Sequence, residues 1–181
     1  MKPTTTRFWM ALFAMTAWLW AGLGGQALAA PPSDQSATVT VTATVNTVFE
    51  LTCDKSAVTL TGNPGSTVSD TVICTAKSNY TPDAWLMKTS TNQALTDTST
   101  SETIPLANFL HSSTGGSGTH ADASDTAFTT SAWTYYTAAG SEKKNLPGGT
   151  AITSTYKVNI PSSQAAGTYT ATVTHTLTVT P

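Results

Sequence analysis

Charge is what this sequence has least of. Its 181 residues carry only 8 Lys and Arg and 10 Asp and Glu, 10% in all, where ordinary soluble domains carry roughly a quarter. So thin a supply leaves few candidate acids or bases for catalysis. The formal net charge of −2 offers no basic field to attract nucleic acid or an anionic membrane. Beyond the first thirty residues no apolar run is long enough to span a bilayer. Cysteine is nearly absent, with Cys53 and Cys74 alone, and neither a Cys-x-x-Cys nor a His-x3-His spacing accompanies them, which argues against zinc. No Gly-x-Ser-x-Gly elbow occurs, and Glu50, Glu102 and Glu142 fall in separate segments, so neither a nucleophile with its base nor a carboxylate pair is legible. The reading is non-enzymatic, with no cofactor and no metal.

What is abundant is threonine, roughly a fifth of the residues. It is β-branched and stiff at χ1, and with valine it points to an all-β chain with a hydroxyl-covered surface.

The N-terminus reads as a secretory signal. Lys2 and Arg7 precede an apolar run over residues 8–23, and Ala27-Leu28-Ala29 fits a small-x-small cleavage site. Cleavage after Ala29 would leave six basic against ten acidic residues, a net charge of −4. The alternative is an uncleaved anchor, since residues 8–25 reach the short limit for a span. Export places the chain outside the cytoplasm, secreted or at the cell surface. In that oxidising compartment two cysteines are most simply one disulfide, stabilising by about 3 kcal/mol through loop closure.

Residues 30–37 read as a proline-bearing linker and residues 38–181 as one domain. From Val39 to Cys53 the odd positions stay largely apolar with threonines between them, a period-2 strand broken at Val48. Short strands are expected at 57–60, 68–76 and 84–88, with Val72, Cys74 and Ala76 on one face and Trp85 and Met87 on one face. Residues 89–103 read as a loop or weak edge, 104–110 as an edge or packed loop because of Pro105, and 111–126 as a long mobile loop rich in glycine and serine. Ile152, Ser154, Tyr156, Val158 and Ile160 alternate cleanly, and residues 168–180 form the last strand, with His175 on its apolar side. Seven or eight strands so spaced predict an antiparallel, immunoglobulin-like β-sandwich.

Three groups of residues are candidates for function. Trp133, Tyr135 and Tyr136 could form a sugar-stacking platform. Adjacent tyrosines on a strand point to opposite faces, which would leave at least one exposed. The alternative is a core tryptophan with an edge tyrosine. His120, Asp122 and Asp125 could ligate a cation, although their spacing fits neither an EF-hand nor a zinc pattern. The leader, residues 38–46, is a pure Val/Thr/Ala alternation after a flexible linker. Through Val39, Val41 and Val45 it is suited to completing another subunit's sheet by strand addition. Its alternative is pairing beside or opposite the final strand of its own chain.

The leader ATVTVTATVNTVFELTC, the early Cys53/Cys74 pair and the closing IPSSQAAGTYTATVTHTLTVT resemble the plan of spore coat protein U-like domains and chaperone–usher fimbrial subunits. The final strand lacks the penultimate aromatic of that plan. The resemblance implies a structural or adhesive role with other surface subunits as partners. A carbohydrate- or wall-binding module is the competing expectation.

Overall fold

The structure, a computed structural model, describes residues 34–80 and 84–180. The expected signal segment and most of the linker lie outside them. The chain divides into two units between Thr42 and Ala43.

The second unit is all-β and antiparallel. Its first sheet has the order β1-β2-β10-β6-β8, formed by Phe49–Cys53, Thr67–Ser78, Thr150–Asn159, Phe109–Gly115 and Thr126–Ala127. The second sheet has the order β12-β3-β9-β7, formed by Val173–Val179, Trp85–Thr91, Trp133–Thr137 and Thr119–His120. A small third sheet joins β11 (Tyr169–Thr170), β4 (Leu95–Asp97) and β5 (Thr103–Ile104). The twelve strands exceed the predicted seven or eight because five are only two or three residues long, too short for alternation to register. Among the described residues no helix is long and apolar enough to cross a membrane.

The core forms where the inward positions of the two large sheets meet. Val72, Cys74 and Ala76 come from β2, Ile152, Tyr156 and Val158 from β10, and Trp85 and Met87 from β3, all nearly inaccessible. These are the faces that alternation predicts. The Trp85 indole donates to the Glu142 carbonyl at 2.9 Å, so its one polar atom is satisfied inside.

Several expected elements differ. Only Phe49–Cys53 of the leader run is strand. Residues 34–48 enter no sheet, and Val39, Val41 and Val45 are 80%, 86% and 83% exposed. Asn79 holds the point where the strand begins, accepting from Val48 N–H at 2.8 Å and donating to the Asn46 carbonyl at 2.9 Å. Residues 57–60 are unpaired, although Val58 and Leu60 still pack half-buried against the core. The last run splits: β11 joins the third sheet, and Asn92 bonds Thr172 N–H and carbonyl alike where β12 begins in another.

The predicted loop 111–126 is largely structure. β6 runs through it with His111 and Ser113 buried. Its glycines serve close approach: a Cβ at Gly116 would stand 2.1 Å from the Tyr136 hydroxyl and one at Gly118 2.1 Å from the Thr137 carbonyl.

Candidate functional site

The sandwich is open along one side. β1 pairs only with β2, and β12 only with β3. The inward residues of these edge strands, Leu51, Val173, His175, Leu177 and Val179, are half-buried where equivalents on β3 and β10 are sealed. Beyond one end of these strands, reaching Cys53 of β1 and Val173 and His175 of β12, lies a groove of about 1010 Å³. One wall is the unpaired segment 55–64 with Val58 and Leu60, the other is residues 164–173, and Val72, Ile104, Phe109 and Val158 form the apolar base. Among the described lining residues Lys55 is the one fixed charge, and no carboxylate is present. Lys55 is paired at 2.9 Å with Asp70, whose carboxyl that bond holds below its usual range.

At the base stands His175. Its Nε2 hydrogen-bonds the Tyr156 hydroxyl, and its Nδ1 lies 3.1 Å from the Tyr135 hydroxyl. Burial, with a smaller contribution from His111, pushes its pKa down to about 4. Burial raises the pKa of both phenols as well.

Behind His175, at 6.0 Å between ring centres, lies His111, fully enclosed. His111 Nδ1 donates to Asp122 Oδ2, and Ser113 Oγ donates to Asp122 Oδ1. Ser113 Oγ also stands 2.7 Å from His120 Nδ1, whose other nitrogen reaches the Gly115 carbonyl at 2.6 Å. Here the serine sits between the carboxylate and the imidazole. A hydrolytic triad needs the imidazole between them and an accessible nucleophile, and Ser113 is 1% exposed. The arrangement satisfies His111 Nδ1, Ser113 Oγ and both Asp122 oxygens, leaves His111 Nε2 enclosed without a partner, and ties β6 to the turn after β7.

The predicted cation group is dispersed. Asp122 serves His111 and Ser113, His120 faces Ser113 and a carbonyl, and Asp125 pairs with Lys157. Among the described residues no group of three or more His, Cys, Asp or Glu side chains could hold a metal.

The aromatic platform is corrected. Tyr135 and Tyr136 are both fully buried and Trp133 is partly covered. Adjacent tyrosines share the inner face because the β3–β9 register jumps, Met87 pairing with Tyr136 and Lys88 with Thr134, which leaves Tyr135 the extra residue of a bulge. Tyr136 donates to Glu142 Oε2 at 2.6 Å, and burial together with that carboxylate raises its pKa to about 12. Alternation contains no signal for a bulge, so sequence could not place both rings inside.

Cys53 and Cys74 are bonded, as expected from the sequence, and they face each other across β1 and β2. His175 and Tyr156 are the groove residues that sequence reasoning left without a role. Their inward positions on alternating strands were the available signal. No family model matches the chain, and no curated protein matches it.

Proposed function

We propose that this chain is an exported, non-enzymatic structural or adhesive subunit of a surface assembly, joined to neighbours by strand addition. One observation carries the reading: β12 has an unpaired edge and an open groove at its Val173–His175 end, while a strand-like leader lies outside every sheet of the described residues. An unpaired edge offers a row of backbone donors and acceptors, and an alternating segment supplies both the matching row and side chains for one apolar face. The lengths agree. β12 has 7 residues and spans about 23 Å, and the leader, extended, reaches about 30 Å at ~3.3 Å per residue. Burying Val39, Val41 and Val45 would contribute on the order of 5 kcal/mol before the cost of ordering the strand. The Cys53–Cys74 bond fits an oxidising compartment.

The test adds a synthetic peptide of residues 37–46 to the full chain. It should bind one per chain, protect β12 amides from hydrogen exchange, and block self-association in sedimentation. A chain that assembles undisturbed at saturating peptide, or shows no association at any concentration, would refute strand addition.

A further inference from the structure

We infer that the groove is proton-gated: protonation of His175 at its base expels the inserted strand, so that assembly is reversed by acid. The inference rests on the strand-acceptor reading and adds a control to it.

The geometry carries the argument. Every titratable group that faces His175 is a phenol or another imidazole. Tyr156 comes from β10, Tyr135 from β9 and His111 from β6. From β3, Thr89 stands opposite in the register and is neutral. On β12 itself, Val173 and Leu177 flank the histidine on the same face. The nearby carboxylate, Asp122, lies behind His111 and is committed to His111 Nδ1 and Ser113 Oγ. Across the groove Lys55 is paired with Asp70, the carboxylate opposite Tyr156 in the β2–β10 register, which is thereby already committed to a cation. The leader has no charged residue between 37 and 46, so an inserted strand would bring no counter-ion.

Neutral His175 suits this setting, with one nitrogen accepting from one phenol while the other donates to the second. Protonated, it becomes a donor at both nitrogens. Each phenol must then accept, and its own hydrogen needs a new partner. Tyr135 has the Met87 sulfur, at 3.6 Å, and the Ser154 hydroxyl at hand. In the empty groove the half-buried ring keeps some contact with water, which makes the cation tolerable. An inserted strand removes that water and supplies only neutral backbone and valine. The cation therefore favours the empty groove, and by linkage the strand favours neutral His175. Burial already lowers the group to about 4 in the empty groove, which sets the acid range in which release occurs.

The experiment follows the histidine ring protons of the full chain by NMR from pH 7 to pH 3, with and without the 37–46 peptide, and measures peptide affinity over the same range. His175→Gln identifies the resonance and supplies a non-titrating side chain. Saturating peptide should lower the His175 midpoint by at least one pH unit. Affinity should be level from pH 7 to 5 and about three- to fivefold weaker at pH 3 than at pH 4, and the His175→Gln dependence should be flat. A peptide that binds at pH 7 but leaves the His175 midpoint and the low-pH affinity unchanged would overturn proton gating and leave strand addition standing. A peptide that fails to bind at pH 7 would overturn strand addition and this inference with it. If His175→Gln does not fold, the wild-type midpoint with and without peptide decides alone.

Discussion

The two halves of the sandwich solve the same packing problem to different degrees. In the closed half, where β6 and β10 face β3 and β9, inward residues are sealed and even polar ones are enclosed: His111, Ser113 and Asp122 are each at most 1% exposed. In the open half, β1 and β12 expose their inward residues, and the segment 57–60 leans on the core without pairing. In the closed half Asp122 engages His111 Nδ1 and Ser113 Oγ, while His111 Nε2, Thr89 Oγ1 and Ser154 Oγ are enclosed without a hydrogen-bond partner. The open half leaves one edge each of β1 and β12 unpaired, with an apolar groove at the end of β12. On the proposed reading, the leader of another chain supplies the missing strand.

The sharpest way to break the comparison is to open the closed half. Asp122→Ala strands His111 Nδ1 and Ser113 Oγ in an enclosed site. Leaving buried partners uncompensated costs about 3–5 kcal/mol. Urea unfolding should show a midpoint shift of that size with little change in slope. A loss below about 1 kcal/mol would mean that the network is not what closes this half.

Next in size is the bond that ties the two halves. Cys53 belongs to the exposed edge strand and Cys74 to the sealed face of β2. Replacing both with alanine removes a loop constraint of 21 residues, worth about 3 kcal/mol. Denaturant melts of oxidised and double-alanine protein would measure it. Hydrogen exchange should rise first in β1, and a rise confined to β9 would contradict this division.

These two predictions also mark how legible the molecule was. β2, β3 and β10 could be read because their inward residues are apolar at period 2, and the disulfide because compartment and number leave little choice. β6 could not. Its inward His111 and Ser113 are polar, and their partner Asp122 lies beyond a glycine-rich turn, so composition resembles a loop until contacts are seen. The tyrosine pair was misread because a bulge breaks alternation without changing it in the sequence. The leader was read as a strand, yet only Phe49–Cys53 of that run enters a sheet. Alternation specifies a face, however, and not which chain provides the neighbouring edge.

A third prediction concerns acid. His175 is held at about 4 against an ordinary value of 6.5, so below 6.5 the unfolded chain binds a proton that the folded chain resists. Its contribution is fully present above pH 6.5 and is lost as pH falls toward and through about 4. The full span is up to about 3 kcal/mol. Stability measured by urea at pH 7, 5.5 and 4 should fall accordingly, and His175→Gln should remove most of that slope. An unchanged slope in the variant would assign the acid sensitivity to other groups.

The smallest expected effect on stability is also the most informative. A chain trimmed to begin at Thr47 loses Val39, Val41 and Val45, all more than three-quarters exposed, and keeps the Val48–Asn79 bond that fixes the start of β1. With so little burial removed, stability should change by less than about 0.5 kcal/mol, while assembly should disappear. The two readouts are independent, since melting reports the subunit's own packing and sedimentation reports its partners. A loss of several kcal/mol would make the leader an internal strand of its own sandwich. A trimmed chain that is stable and still assembles would show that subunits join through some other surface. Only unchanged stability with lost assembly, restored when the 37–46 sequence is fused back at the N-terminus, fits a strand carried by one chain for the open half of another.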